Sequence, residues 1–339
     1  MTRPLSLLDL TYIPAGSGSS ETVQESVRTA QLAEELGYNR VWYAEHHNTA
    51  GLASGSPEIM IAHVAAQTKS IRLGSGGVML PNQAPLKVTE TFHLLEAMYP
   101  DRIDLGLGRA PGTDQKTSLA LRRNPEALAA DDYPQNVMEL LAYDDRGFPE
   151  GHYFENIVAT PTDQTLPPVW LLGSSAFSGH LSAQLGLGFS FAAHINKPMA
   201  VDVMKAYKAG FQPSHRFAAP QSMLAVGVIL GETEQYAKDL SLIHRVGMYR
   251  LLKGAMAPAP TLEEAREIVA GIEPQFQLQL DSMQANQFIG TPATVAAQVK
   301  ELADACEAAE VMFTTSIGMH AERDFAVRSM KAAWDEVDS

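Results

Sequence analysis

Cysteine is almost missing from this chain: Cys306 is the one cysteine among 339 residues. A single cysteine cannot form an internal disulfide. Cys306 lies in a helix-like stretch, AQVKELADACEAAE, in which no neighbouring group would activate a thiolate. The sequence therefore predicts a small, buried, apolar residue at this position.

Basic residues are also scarce, and no run of them occurs. Lysine and arginine number 25 against 39 aspartates and glutamates, which gives a net charge of -14. Nucleic acids and anionic membrane surfaces need clustered lysine and arginine, so both are excluded as partners. No apolar segment approaches the ~20 residues of a membrane span, and no signal peptide is evident. We therefore expect a cytoplasmic protein.

Strand-like and helix-like segments alternate through most of the chain. Eight short apolar runs, of the kind that a strand buried on both faces needs, are each followed by a helical stretch. Eight such units predict a closed (β/α)8 TIM barrel, with an open doubly wound sheet as the competing interpretation. We expect residues 1–339 to form one domain. Two long insertions, about 113–165 and 245–288, are expected to form lids at the carboxyl ends of the strands.

Three ionisable residues, Glu45, His46 and His47, follow the second apolar run in the stretch RVWYAEHHNTAG. They come at the carboxyl end of a predicted strand, on the face where barrel active sites lie. A metal site is one alternative, but adjacent strand residues point to opposite faces and no HxxxH or CxxC completes a ligand set. A buried, hydrogen-bonded structural pair is another. We favour a site that faces a cofactor or substrate and holds no metal.

Two further stretches could bind a phosphate. In LGLGRAPGTD the glycine spacing is GxGxxxG, which does not match the dinucleotide fingerprint GxGxxG. We interpret it as a glycine-lined loop from which Arg109 reaches a phosphate or a flavin edge, with a turn and a surface arginine as the alternative. In WLLGSSAFSGH a strand runs into a helix whose first N–H groups would form an anion site with the hydroxyls of Ser174, Ser175 and Ser178. Serine N-capping alone is the alternative.

A glycine pair follows the third apolar run in the stretch GSGGVMLPNQAP. Gly76 and Gly77 would permit the close approach of a flat ligand and unusual backbone angles. A bulge in a barrel strand is an equally simple interpretation.

Taken in order, these stretches resemble the bacterial luciferase-like, flavin-dependent monooxygenase family. The matching pieces run from the second strand to the last helices and cover most of the chain: WYAEHHN, LGSGGVMLPNQAPLKVTE, LEAMYPDRIDLGLGRAPGTD, LGSSAFSGHLSAQLGLGFSFAAHI and FIGTPATVAAQVKELAD. Each piece is a weak signal, whereas five in sequence are specific.

The resemblance implies a TIM barrel that binds FMN at the carboxyl ends of its strands, usually as a homodimer. It implies that His46 lies beside the reacting edge of the flavin as a general base, oriented by Glu45 or His47. The resemblance also implies that the FMN phosphate is bound by Arg109, Ser174, Ser175 and Ser178. It implies that Gly76 and Gly77 lie beneath the isoalloxazine ring, where the family often has a non-proline cis peptide.

The resemblance also implies a reaction. Reduced FMN, supplied by a separate NAD(P)H:flavin reductase, reacts with O2, and the resulting flavin peroxide oxidises a small, apolar organic substrate. A histidine with a pKa near its ordinary value of about 6.5 would exchange a proton with the peroxide or the substrate at neutral pH. Candidates for the substrate pocket are two residues near the strand ends and the methionines of the second insertion: His194, Phe177, Met248, Met256 and Met283.

The sequence departs from the family pattern at two positions. Gly108 stands where the luciferase has a reactive cysteine, and Ala84 replaces a common histidine, so light emission is not implied. Two alternatives keep the barrel. One is a deazaflavin-dependent hydride-transfer oxidoreductase, whose long acidic coenzyme would favour extra lysine and arginine. The other is a non-catalytic flavin-binding barrel.

Overall fold

The computed structural model describes residues 2–125, 132–255 and 257–338. The described strands all pair in parallel. In chain order they are β1 (Leu5–Asp9), β2 (Arg40–Tyr43), β3 (Arg72–Ser75), β4 (Val78–Met79), β5 (Ile103–Gly108), β6 (Val169–Gly173), β7 (Gly188–Ala192), β8 (Ser222–Leu230), β9 (Gln287–Gly290) and β10 (Glu310–Thr314).

Eight of these strand positions close into a barrel. The order of pairing around it is β1, β2, β3, β5, β6, β7, β8 and β10, and β10 returns to β1. β3 and β4 are two parts of one interrupted barrel strand, because both pair with β5. β9 extends the sheet beside the carboxyl end of β8. The closed ring confirms the predicted TIM barrel and excludes the open doubly wound sheet.

Helices surround the ring and connect its strands. The described helices are α1 (Ser19–Glu35), α2 (Pro57–Ala65), α3 (Pro85–Met98), α4 (Gln115–Arg122), α5 (Tyr133–Asp145), α6 (Ala176–Leu185), α7 (Ala193–Asn196), α8 (Ala200–Gly210), α9 (Glu234–Leu252), α10 (Leu262–Ala270), α11 (Pro274–Gln284), α12 (Pro292–Ala305) and α13 (His320–Val337). None of them combines the length and the apolar character needed to cross a bilayer.

Strand alternation separates two apolar cores. Alternate residues of a barrel strand point inward, and the residues between them face the helices. The outer core lies between strands and helices and includes Cys306, which is buried as predicted. The indole rings of Trp42 and Trp170 meet edge to face inside the barrel, with centroids 5.8 Å apart. They belong to an inner layer of apolar residues: Leu8, Trp42, Ala44, Trp170, Met223, Ala225 and Met312.

Buried charges close the amino-terminal end of the barrel. Arg40 donates to Asp104 at 2.8 Å and to both carboxylate oxygens of Glu310 at 2.9 Å. Arg72 donates to the other oxygen of Asp104 at 2.6 Å, and the Ser6 hydroxyl donates to Glu310. Bidentate and charge-assisted bonds of this kind compensate the cost of burying the ions. The opposite, carboxyl-terminal end is the mouth of the barrel.

Each insertion has a part that contacts a loop at the carboxyl ends of the strands, and in the first the Thr113 hydroxyl donates to the His47 carbonyl at 3.1 Å. The first follows β5 and contains α4 and α5, and the second contains the end of α9 with α10 and α11. Within the second, the Ala259 N–H donates to the carbonyl of Ile13 at 2.8 Å, so this segment contacts the loop after β1. Thr113 of the first insertion and Ala259 of the second therefore lie at the mouth. The end of α5 lies at the opposite end of the barrel, where Asp144 accepts the N–H of Leu166 at 2.8 Å just before β6.

Candidate active site

The mouth brings together predicted residues from distant parts of the chain. His46 follows β2 and continues the alternation in which Trp42 and Ala44 point into the barrel. Ser174 directly follows β6. His194 lies in the short helix α7 after β7, and not at the end of a strand as the sequence suggested. The Asn196 side chain donates to the Ser174 carbonyl at 3.0 Å and so joins the loops after β6 and β7.

His46 is largely enclosed by protein. Its Nδ1 has no exposed area and no hydrogen-bond partner among the described residues. Burial, followed by the nearby His47 and His194 rings, lowers the pKa of His46 to about 4. The ring is therefore neutral at pH 7, and the expectation of a pKa near 6.5 is wrong. A neutral ring with one unpartnered buried nitrogen can form a hydrogen bond with a ligand in the mouth.

Glu45 and His47 form a unit separate from His46. Glu45 is 1% exposed, and its Oε1 lies 2.8 Å from His47 Nε2. Its other oxygen accepts the N–H of Met79 at 2.9 Å, and the Gln83 amide donates to Oε1 at 3.2 Å. Because adjacent residues of an extended chain point to opposite sides, the pair fixes β2 to the β3–β4 junction while His46 faces the mouth.

The glycine pair forms the junction between β3 and β4. The Gly76–Gly77 peptide bond is cis, as the family resemblance implies. A Cβ at Gly77 would lie 2.3 Å from Leu172 Cδ1 and 2.7 Å from the Gly106 carbonyl oxygen, so a side chain does not fit there. At Gly108, where the luciferase has its cysteine, the Met79 thioether lies 2.8 Å from a Cβ position and fills the space.

The start of α6 gathers the predicted phosphate residues. Ser175 is the N-cap, and its side chain does not cap the helix. Ser178 is buried in the first turn. The Arg109 guanidinium lies over the Phe177 ring, 4.4 Å from its centroid, so the cation predicted from β5 meets this helix start. Unpartnered N–H groups, hydroxyls and a guanidinium are the donor set that a phosphate requires.

Two residues of the mouth escaped sequence analysis. His244 lies within α9, and its Nδ1 is 2.9 Å from the Ser316 hydroxyl in the loop after β10. Burial, followed by the His194 ring, lowers the pKa of His244 to about 4. Thr314 ends β10, and its hydroxyl is buried with no partner among the described residues. The position of Thr314 at the carboxyl end of a predicted strand could have indicated it. No feature of the sequence around His244 distinguishes it from other helical residues.

Two alternatives of the sequence analysis remain, a metal site and a pocket lined by methionines. In the described part of the chain, no three histidine, cysteine, aspartate or glutamate side chains are grouped so that they could hold a metal ion. Met248 on α9 and Met283 on α11 are half-buried, and Met256 lies outside the described residues.

Comparison with known proteins matches nearly the whole chain to one family. A family model described as luciferase-like monooxygenase matches residues 4–306. The chain is 37% identical over 322 residues to a luciferase-like monooxygenase of Escherichia coli strain K12, covering 95% of this chain and 94% of the relative. It is 31% identical over 332 residues to the N-acetyl-S-alkylcysteine monooxygenase of Bacillus subtilis strain 168, covering 97% of both. The crystal structure of apo-MsnO8 matches with a TM-score of 0.88 at 33% identity, covering 100% of this chain and 99% of that one.

The fold and the mouth define a closed (β/α)8 barrel whose candidate site, lined by histidines, lies at the carboxyl ends of the strands. Within that class, the chain belongs to the luciferase-like monooxygenase family. This confirms the resemblance seen in the sequence. It also confirms the predicted class of enzyme, a luciferase-like monooxygenase, which incorporates oxygen.

Proposed function

We propose that the chain is an FMN-dependent monooxygenase that uses reduced FMN and O2 to oxidise a small, largely apolar organic substrate at the barrel mouth. The observation that carries the proposal is the convergence of three parts at one mouth. These are the start of α6 with Arg109, the Gly76–Gly77 junction, and the unpartnered Nδ1 of His46. They suit the phosphate, the ring and the reacting edge of FMN respectively.

The start of α6 is suited to the FMN phosphate. The first N–H groups of a helix have no partner within the helix, and they carry the positive end of its dipole. Because the Ser175 side chain does not cap the helix, its hydroxyl can donate to a phosphate oxygen together with that of Ser174. Arg109, held on Phe177, adds a full positive charge.

The β3–β4 junction is suited to the isoalloxazine ring. Glycine at positions 76 and 77 leaves the backbone uncovered, so a flat ring can approach it closely. Glu45 accepts a hydrogen bond from Met79 and thereby holds the junction in place relative to β2. Reduced FMN, when bound, supplies the electrons that activate O2.

His46 is the residue that we propose to act beside the reacting edge. Because burial lowers its pKa to about 4, the ring is costly to charge and is neutral at pH 7. It therefore serves as a hydrogen-bond partner for an oxygen-bearing group and takes up a proton transiently. The apolar layer beneath it, with Trp42 and Trp170, excludes water from that side of the site.

Three further features belong to the proposal: a separate NAD(P)H:flavin reductase as the source of reduced FMN, a cytoplasmic location, and a homodimer. A separate reductase is supported by Gly106 and Gly108, because they lie within β5 and not at the strand-to-helix turn where a glycine motif would bind NAD(P)H. A homodimer is supported by three exposed apolar side chains on the neighbouring helices α2 and α3: Ile59, Leu94 and Met98.

FMN is favoured here over a deazaflavin coenzyme because of charge. The deazaflavin carries a long acidic tail, which calls for several cations near the mouth. The chain has a net charge of -14, and the cation seen against the start of α6 is Arg109. A storage role is disfavoured because His46 leaves a buried nitrogen for a ligand.

Oxygen kinetics test this function. The protein is loaded anaerobically with reduced FMN and mixed with O2, and the return of oxidised-flavin absorbance is followed. We expect the return to be slower than for free FMN, and we expect His46→Ala to shorten the delay about tenfold, the equivalent of one lost hydrogen bond. NADH without a reductase should not reduce the bound FMN rapidly.

The control is His215→Ala, which removes an exposed histidine that pairs with Asp145 and should leave the delay unchanged. Reoxidation at the free-flavin rate, or no binding of FMN, would contradict the proposal. In either event, binding of the deazaflavin coenzyme to the same protein would support the alternative.

A further inference from the structure

Three buried polar atoms of the mouth have no hydrogen-bond partner among the described residues: His46 Nδ1, His244 Nε2 and Thr314 Oγ1. Buried polar atoms in folded proteins are nearly always paired, and an unpaired one costs stability. His46 is accounted for by the proposed flavin site. His244 and Thr314 come from different elements, and the proposed flavin site uses neither of them.

Topology places these two residues across the barrel from the glycine pair. β3 and β5 are third and fourth in the ring, and β8 and β10 are seventh and eighth, so the two pairs of strands face each other. Thr314 ends β10, and α9, which carries His244, follows β8. His194 after β7 lies on the same side and is close enough to His244 to influence its charge. We call His194, His244 and Thr314 the polar wall.

The hydrogen-bonding capacity of the polar wall can be worked out atom by atom. The Nδ1 of His194 lies 3.3 Å from the Ala225 carbonyl oxygen, which can only accept, so Nδ1 carries the proton and Nε2 is an acceptor. The Ser316 hydroxyl bonded to His244 can donate or accept, so His244 Nε2 takes either role. The Thr314 hydroxyl also takes either role.

The polar wall offers no positive charge to an anion. Burial lowers the pKa of His194 and His244, so both rings are neutral at pH 7. Two cations lie near the wall in the chain. The Arg245 guanidinium is engaged by Asp281 at 2.8 Å and by Gln284 at 3.1 Å, and the Lys197 ammonium lies over the Phe288 ring, 4.6 Å from its centroid, where burial lowers its pKa. A carboxylate or sulfonate would lose its hydration here without an ion pair.

We propose that the polar wall binds an uncharged substrate group that both donates and accepts hydrogen bonds, a hydroxyl or an amide, and discriminates against carboxylates and sulfonates. This inference rests on the proposed function, because it takes the mouth to be the substrate site. Gln287, whose side chain donates to the His194 carbonyl at 3.2 Å, is a positioning residue for α7.

A binding experiment with chemically matched probes tests the inference. Unbranched primary amides, alcohols and carboxylates of equal chain length are titrated into the FMN-loaded protein by calorimetry. We expect the amide and the alcohol to bind about tenfold more tightly than the carboxylate. We expect His244→Leu and Thr314→Val each to weaken amide binding about tenfold, which corresponds to one lost hydrogen bond. Neither substitution should change the affinity for FMN.

Conservative and control variants separate binding from folding. His244→Gln keeps a donor and an acceptor, so it should restore most of the amide affinity lost in His244→Leu. His63→Leu, on the exposed surface of α2, should have no effect. Equal or tighter binding of the carboxylate, unchanged amide affinity in both wall variants, or no binding of any amide or alcohol would overturn the inference.

The two proposals fail separately in this design. If the wild-type protein does not bind FMN, the proposed function fails. The preference for amide over carboxylate, measured on the flavin-free protein, still decides the inference. If FMN binds and the preference is absent, the inference fails and the proposed function stands.

Discussion

At the scale of single residues, the histidines of the mouth share one property. Burial is the largest cause that lowers the pKa of His46, His194 and His244, and each ring lies near another of the set. A proton on one ring is disfavoured by its environment and also by its neighbours. The mouth is therefore lined by neutral imidazoles, which recognise hydrogen-bonding groups and not charge.

Acid should destabilise the protein through these rings. The ordinary pKa of histidine is about 6.5, so below that pH the unfolded chain binds protons that the folded rings do not. Stability therefore falls until the folded His46 and His244 rings, with a pKa of about 4, become protonated. For His244 the loss is about 3 kcal/mol, from about 1.4 kcal/mol per pKa unit. We expect His244→Leu to lose less free energy of unfolding than the wild type between about pH 6.5 and pH 4, measured by urea denaturation.

The control for this measurement is His63→Leu, which removes a histidine from the exposed surface of α2. It should follow the wild-type curve. If the His244→Leu curve runs parallel to the wild type through the whole window, the buried ring does not resist protonation as described.

At the scale of elements, the start of α6 depends on its packing against the end of β6. A Cβ at Gly173 would lie 2.6 Å from both Cβ and Oγ of Ser178. The helix can begin this soon after the strand because position 173 has no side chain. The hydroxyls and N–H groups of the first turn thereby stay at the mouth, beside Arg109.

Replacing this glycine should damage the helix start. We expect Gly173→Ala to cost about 1–3 kcal/mol of stability through overpacking and to weaken FMN binding, measured by thermal unfolding and flavin fluorescence. Gly247→Ala is the matched control. It lies within α9 with nothing within 4 Å of a Cβ, so it should be neutral or stabilising by up to about 1 kcal/mol. Unaltered FMN affinity in Gly173→Ala would argue against a phosphate site at α6.

At the scale of the whole molecule, α2 and α3 present an apolar surface to solvent. Ile59 is 65% exposed, Leu94 53% and Met98 49%, and the two helices pack against each other. Single exposed apolar residues are ordinary, whereas a group on adjacent helices indicates an interface. This surface is the one that we assign to the proposed homodimer.

Charge placed on this surface should dissociate the dimer. We expect the wild-type protein to show twice the monomer mass in light scattering, and Ile59→Glu together with Leu94→Glu to show the monomer mass, because a buried unpaired carboxylate is costly. Leu278→Glu on α11, at an 84% exposed position, should remain dimeric. A monomeric wild-type protein would refute the assignment.

Local pattern in the sequence predicted the barrel well because buried strands and capped helices are local features. The eight apolar runs became the eight strand positions, and the position of His46 after β2 indicated the mouth. What the sequence could not show depends on the packing of distant segments. Arg40 meets Glu310 across the closed ring, and His244 meets Ser316 between α9 and the loop after β10. The pKa of His46 was misjudged for the same reason, because burial is set by the whole fold.

The ion pairs at the closed end of the barrel also bear on how such an enzyme can change over evolutionary time. Arg40 begins β2, and His46 follows the strand six residues later, roughly 20 Å away at the rise of an extended chain. The buried ion pairs lie at one end of the barrel, and the proposed substrate site lies at the other. Substitutions at the mouth can therefore accumulate without loosening the Arg40 anchor, and a new specificity can be selected on an unchanged barrel.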